Sequence, residues 1–216
     1  MEWVNVSLRW YLSLFFLGLI LFPLTSKIFN RFPDFGYPFA KVLSILFLSY
    51  VTFVFGVFKI LPFTQTTLFA VIIFISLANV FILFNKKKKA PEGLILIVFE
   101  ELLFFISFFV WVYIRSQEPS IRSLEKFMDF GFINSILRSH YFPPIDMWFS
   151  GGFSINYYYF GHLTGAVLIK LTNINPSIGY NLILSTIFGL GITAVFSLVV
   201  GIIHTYTKKL SSIKMI

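Results

Sequence analysis

Residues 177–203 read SIGYNLILSTIFGLGITAVFSLVVGII, and residues 64–84 read TQTTLFAVIIFISLANVFILF. Neither run contains a charged side chain. A helix needs about 20 apolar residues to cross a hydrocarbon core roughly 30 Å thick, and both runs reach that length. Their apolar residues are continuous rather than alternating, so the backbone hydrogen bonds close within helices and not between barrel strands. The two stretches predict an all-α, polytopic transmembrane helical bundle.

The composition of the whole chain indicates the same class. Hydrophobic residues make up 57% and charged residues 12%, whereas charged residues are about 25% of an ordinary soluble domain. The net charge of +8 is placed mostly between the apolar runs, which favours the lipid bilayer as partner and argues against nucleic acid. The chain has no cysteine, so disulfides and thiolate metal sites are excluded.

We predict about six membrane spans, arranged in two regions. Residues 1–91 contain three of them, and residues 92–216 contain the others together with a large external loop over residues 115–156. The first span is interpreted as a retained helix because no small-residue cleavage site follows it, and the fifth is short for a full crossing. The predicted spans are Trp10–Thr25, Phe39–Leu61, Thr64–Phe84, Gly93–Ile114, Tyr157–Leu171 and Ser177–Ile203.

Basic residues predict the orientation of the chain in the cell membrane. The run Lys86–Lys89 is the strongest cluster, and Lys27, Arg31 and Lys41 form a second one. Both connections should therefore be cytoplasmic and the loop 115–156 external. Six spans would also place the lysines near the end of the chain outside, which the positive-inside rule disfavours. Either the fifth span does not cross alone, or the native chain continues further.

Glu100 and Glu101 lie about two turns inside the fourth predicted span. An ionised carboxylate at the centre of a bilayer costs roughly 3 kcal/mol, so both acids need an explanation. One interpretation is that the span begins later and both lie near the cytoplasmic interface. The other is an ion pair or a proton relay inside the bundle.

The external loop contains a predicted interfacial helix over residues 126–138. A helical wheel places Asp129 on the same face as the apolar side chains of Phe132, Ile133 and Ile136. An acid on that face points toward the membrane domain instead of the solvent. Asp129 is therefore the best single candidate for chemistry.

Other candidates follow at the aromatic end of the loop. Tyr158 and His162 are four residues apart and share a helix face, which we expect at the same outer rim as Asp129 and Asp146. Trp148 is of a type found at the water–lipid boundary. The carboxylates of Glu125 and Asp146 could join Asp129. Such oxygen-rich groups suit Mg²⁺ or Mn²⁺, although no ligand spacing demonstrates a metal site.

Three motifs together resemble a known family. They are EKFMD at residues 125–129, FPPIDMWFSGG at residues 142–152 and INYYYFGH at residues 155–162. The combination resembles the YYY membrane protein family, named for its tyrosine triplet, which is similar to the GT-C class of polytopic glycosyltransferases. The resemblance implies transfer of a sugar from a polyprenyl phosphate at the outer membrane face. It also implies that this chain is an N-terminal fragment, with the missing C-terminal portion as a partner.

The resemblance assigns roles to residues of the loop. Asp129 matches the GT-C loop aspartate that acts as general base or organises a metal ion. Further catalytic candidates are Glu125, Asp146 and His162. Candidates for holding the departing phosphate are Arg122, Lys126, Arg138 and His162. Candidates for binding the sugar, mainly by stacking on aromatic rings, are Trp148, Asn156, Tyr157, Tyr158 and Tyr159.

A non-catalytic alternative stays open, namely a polytopic membrane scaffold or a transporter subunit. An enzyme needs polar groups that converge on one external cavity, whereas a transporter needs polar residues along a path through several spans. Polar residues are concentrated in the loop and are few in the predicted spans. This distribution favours the enzyme.

Overall fold

The computed structural model describes residues 2–84, 93–149 and 151–213. Within these ranges the chain forms helices and no β-strand, with one isolated antiparallel bridge between Ile145 and Ser154. The all-α prediction is confirmed. The helices are α1 (Glu2–Ile28), α2 (Tyr37–Val57), α3 (Gln65–Phe84), α4 (Leu94–Gln117), α5 (Leu124–Arg138), α6 (Phe160–Thr172) and α7 (Pro176–Ile213).

Among the described residues, four helical stretches are long and apolar enough to cross a membrane. These stretches are Trp3–Ile28, Tyr37–Val57, Leu94–Gln117 and Pro176–Thr207, and α3 adds a shorter apolar stretch, Gln65–Asn79. Large apolar side chains point outward from them, as helices in lipid require. The predicted count of about six spans is not confirmed.

One end of the bundle, here called the loop end, carries residues 118–149 and 151–159. Arg115 at the end of α4 donates to the Asn181 side chain near the start of α7, with Nε 3.0 Å from Oδ1. The N–H of Phe142 donates to the carbonyl of Gly56 at 3.2 Å, close to the end of α2. The same loop reaches the start of α3, since the N–H of Phe63 donates to the carbonyl of His140 at 2.7 Å.

The opposite end, here called the far end, carries the connection between α1 and α2. Ser197, well along α7, donates to the carboxylate of Asp34 in that connection. A Cβ at Gly201 would meet the ring of Phe32, and one at Gly93 would meet the carbonyl of Pro33. The α1–α2 connection therefore packs against the beginning of α4 and the later part of α7.

Helix α6 does not follow the predicted fifth span across the bundle. Its last carbonyls accept hydrogen bonds from Arg9 and Gln65, both at 3.0 Å, and these residues lie in the first turns of α1 and α3. Its Lys170 binds the carbonyls of Phe63 and Leu137 at the same end. A helix of α6's length spans only about 20 Å. We therefore correct the prediction: α6 begins and ends at the loop end.

Two further expectations about charge change with the structure. Lys41 is not a loop cation, because it lies inside α2 with an exposed fraction of 2% and is bound to Glu101. The ion pair, one of the two interpretations of the acids in the fourth predicted span, is present: Glu101 lies two turns into α4, which begins at Leu94, and binds Lys41. The run Lys86–Lys89 and the predicted boundary at residue 91 lie outside the described residues.

Candidate site at the loop end

Helix α5 turns the predicted face toward the bundle. Phe132, Ile133 and Ile136 are 5%, 4% and 0% exposed, which confirms the helical wheel. Asp129 precedes Phe132 by three residues and Ile133 by four, so it lies one turn earlier on the same face. The side chain of Asp129 is 36% exposed, whereas that of His162, its partner in α6, is 17% exposed. The helix therefore holds Asp129 at the rim of the buried layer.

The partner of Asp129 is His162, in the first turn of α6. Asp129 Oδ1 and His162 Nε2 are 3.1 Å apart. The ring of Phe132 packs edge-on against the imidazole, with centroids 5.2 Å apart. His162 Nδ1 is buried and has no hydrogen-bond partner in the described part of the chain. Sequence reasoning placed both residues at one rim, and the structure joins them as a carboxylate–imidazole pair.

A cleft of about 460 Å³ opens beside this pair between α2, α5, α6 and α7. Asp129, Tyr158 and His162 supply polar groups at the cleft, and most of the other walls are apolar. Polar groups beside an apolar pocket are typical of sites for amphiphilic ligands. The apolar walls include Val42, Ile45, Leu46, Ile133, Leu168, Ile183, Leu184, Ile187 and Leu190.

The tyrosine triplet does not act as one surface. Tyr157 donates to the hydroxyl of Tyr158 at 2.6 Å, and both rings are exposed. That hydrogen bond, with smaller effects from the carboxylates of Glu125 and Asp129, raises the pKa of Tyr157. Tyr159 instead packs against Phe53 and Phe142, so it belongs to the contact between loop and bundle. Of the three, Tyr158 lines the cleft beside Asp129.

Two candidates, Arg138 and Asp146, line a different cleft between α5 and the following loop. Asp146 also has a local structural role, because its Oδ1 accepts the N–H of Trp148 at 2.8 Å. Its own N–H donates to the carbonyl of Phe153 at 2.8 Å and thereby shapes the turn. The structure therefore separates Arg138 and Asp146 from the Asp129–His162 pair.

Arg122 lines a third cleft, between the ends of α1, α4 and α7. Arg115 and Glu118 share that cleft with it. Hydrogen bonds from Ser120 lower the pKa of Glu118. The predicted phosphate-holding cations are thus distributed around α5 and do not converge on Asp129. Lys126 is one turn before Asp129 on the same helix, whereas Glu125, Trp148 and Asn156 are exposed to solvent.

The residues at the pair do not by themselves form a magnesium or manganese site. Asp129 offers one carboxylate, and one of its oxygens already binds His162. These metals prefer several oxygen ligands. No group of three His, Cys, Asp or Glu side chains in the described ranges is placed to hold a metal ion. The metal stays a prediction.

A second polar cluster lies inside the spans, and sequence reasoning kept it only as one of two alternatives. Glu101 binds Lys41 and accepts the hydroxyls of Tyr11 and Tyr37 at 2.6 and 2.7 Å. The sequence feature that could have predicted this cluster is a lysine in one apolar helix and two adjacent acids at a similar depth in another. Glu100, the neighbouring acid, is 1% exposed.

Comparison with known protein families gives a match over most of the chain. The family model described as Uncharacterized membrane protein (DUF2298) matches residues 47–214. The matched range contains both members of the Asp129–His162 pair, whereas Asp34 and Lys41 precede it. No curated protein and no solved structure matches the chain.

Proposed function

Because the chain belongs to the Uncharacterized membrane protein family (DUF2298), we propose a function carried out within a membrane. The proposed function is glycosyl transfer from a polyprenyl-phosphate-linked sugar at the loop end of the bundle. The likeness of the EKFMD, FPPIDMWFSGG and INYYYFGH motifs to the YYY and GT-C proteins supports this reaction class. Under the proposal the loop end faces the outside of the cell, and a C-terminal portion adds further parts of the site.

The observation that supports the proposal most directly is the Asp129–His162 pair beside an apolar cleft. A polyprenyl phosphate has an apolar tail and an anionic head. The tail fits walls such as Leu46, Leu184 and Ile187, and the head then lies near the polar rim. Under the proposal, the sugar–phosphate bond of such a donor lies beside the Asp129–His162 pair.

In the proposed step, Asp129 accepts the proton of an acceptor hydroxyl, whose oxygen attacks the anomeric carbon of the sugar. The bond between that carbon and the phosphate oxygen breaks, and the oxygen keeps the electron pair. Polyprenyl phosphate leaves as an anion, and the proton stays on Asp129 until solvent removes it. His162 binds Oδ1 and orients the carboxylate, so Oδ2 is the oxygen that takes the proton.

Replacement of the carboxylate tests this role. Asp129→Asn keeps the shape and the hydrogen bond to His162 but removes the base, so transfer should fall by about 10² to 10⁴-fold. The measurement is incorporation of a labelled sugar from a polyprenyl-phosphate donor, normalised to correctly inserted protein. The control is Glu118→Gln, which changes an exposed carboxylate in a different cleft and should leave transfer unchanged. Wild-type activity in Asp129→Asn would refute the catalytic role.

A second candidate is a transporter subunit. It is favoured by the ion pair of Lys41 and Glu101 inside the spans, since buried charges in transmembrane helices often mark paths for ions or substrates. The assay of sugar incorporation distinguishes the transporter from the glycosyltransferase. Absence of sugar transfer by the wild-type chain, alone and with its C-terminal portion, would favour the transporter over the enzyme.

A further inference from the structure

Glu100 is a buried carboxyl group that receives no hydrogen bond from any residue that the structure describes. Its exposed fraction is 1%, and no donor in the described ranges reaches either of its oxygens. Burying an ionised carboxylate without donors in an apolar interior is strongly unfavourable. Glu100 therefore needs a cation or a proton of its own.

The side chain that faces Glu100 is another carboxyl group, that of Asp34. Asp34 is equally buried, but it has two donors: the Ser197 hydroxyl reaches Oδ2, and the N–H of Gly36 lies 3.1 Å from Oδ1. Each oxygen of Asp34 thus has a donor, whereas no donor in the described ranges reaches Glu100. Two ionised carboxylates cannot hydrogen-bond to each other, whereas a protonated Glu100 can donate to Asp34.

We propose that Asp34 and Glu100 form a proton-binding site inside the membrane domain, with the proton on Glu100 and shared by hydrogen bonding with the Asp34 carboxylate. The site joins three elements, because Asp34 belongs to the α1–α2 connection, Glu100 to α4 and Ser197 to α7. Loss of the proton would leave two ionised carboxylates side by side in the apolar interior, which is unfavourable.

The neighbouring charged groups do not replace this proton. Lys41 of α2 is the nearby cation, and its ammonium is bound to Glu101. The hydroxyls of Tyr11 from α1 and Tyr37 from α2 also donate to Glu101. With Glu100 protonated, the charges of Glu101 and Lys41 cancel and Asp34 alone carries a net negative charge. With Glu100 ionised, the cluster would bury two net negative charges.

Glu101 provides a matched control for the experiment, because it is the adjacent residue at the same depth but has a cation and two hydroxyl donors. Infrared spectra of the full chain in lipid vesicles at neutral pH separate protonated carboxyl from carboxylate vibrations. We expect Glu100→Gln to remove a protonated-carboxyl band. Glu101→Gln should remove a carboxylate band instead. Loss of a carboxylate band in Glu100→Gln would overturn the proposal.

The wild-type protein supplies the same test without a substitution, should a variant fail to fold. Carbon-13 in the side-chain carboxyl of glutamate should shift the protonated band, and the same label in aspartate should not. A band that shifts with aspartate, or no protonated band at all, would overturn the proposal. The spectra are also compared with and without Na⁺. A Glu100 carboxylate band that depends on Na⁺ would show that a metal ion occupies the site instead of a proton.

Discussion

At the scale of single residues, Lys41 and Glu101 show how opposite charges are kept inside an apolar bundle. The hydroxyls of Tyr11 and Tyr37 replace water on the carboxylate. The ring centroids of Tyr37 and Phe104 lie 4.7 and 4.8 Å from the Lys41 ammonium, which adds cation–π attraction. The pair is tolerated because every charged atom has a neighbour that offsets its lost hydration.

We expect Lys41→Met to cost more stability than removal of both charges. The single substitution leaves Glu101 buried and unpaired, which costs about 3–5 kcal/mol. Lys41→Met combined with Glu101→Gln removes both charges and should recover much of that loss. The measurement is unfolding in detergent micelles, arranged as a double-mutant cycle. A single variant as stable as the wild type would contradict the pairing.

At the scale of elements, one aromatic side chain anchors the segment between α5 and α6 to the bundle. Phe142 is 3% exposed, and its ring centroid lies 5.4 Å from that of Phe63. The close approach depends on Gly56, because a Cβ at that position would overlap the Phe142 ring. This anchor helps to hold α5 and α6 together, and with them the pair formed by Asp129 and His162.

Gly56→Ala should loosen this segment. The added methyl group forces Phe142 out of its place, and overpacking of this kind costs about 1–3 kcal/mol. Thermal unfolding and limited proteolysis of residues 139–149 measure the effect. The matched control is Gly191→Ala in α7, where an added Cβ meets nothing within 4 Å and alanine favours the helix. Equal stability of the two variants would contradict the anchoring role.

At the scale of the whole molecule, five helices of the described ranges run between the two ends of the bundle and α6 lies along one end. The five are α1, α2, α3, α4 and α7. An odd number of passes places the beginning of α1 and the end of α7 at opposite ends. The end of α7 then lies at the far end with Lys27 and Arg31. Six spans conflict with the positive-inside rule, whereas this arrangement agrees with it.

Single cysteines test this topology, since the chain has no cysteine of its own. We place them at Gln117, Ser177 and Thr207, all of which are exposed. If α6 does not cross, an impermeant thiol reagent should label Gln117→Cys and Ser177→Cys from the same side, and Thr207→Cys from the other. Labelling of Gln117→Cys together with Thr207→Cys, with Ser177→Cys labelled from the other side, would restore the sixth span. The side that labels Gln117→Cys also decides whether the loop is external.

The sequence alone determined the helical class, the membrane setting and the inward face of α5. These properties follow from local chemistry: apolar runs without charge require helices in lipid, and a 3.6-residue period settles which face of a helix is apolar. It also identified Asp129 and His162 as members of one rim. Their contact at 3.1 Å needed the fold.

Only the tertiary structure decided the course of α6 and the partners of the buried acids. A run such as Tyr157–Leu171 is apolar whether it crosses lipid or packs on other helices, so its composition does not distinguish the two. Glu100 and Glu101 are identical in type and adjacent in sequence, yet one faces a carboxylate and the other an ammonium. The partner of a buried charge is supplied by distant segments of the chain. Sequence spacing along one helix therefore cannot specify it.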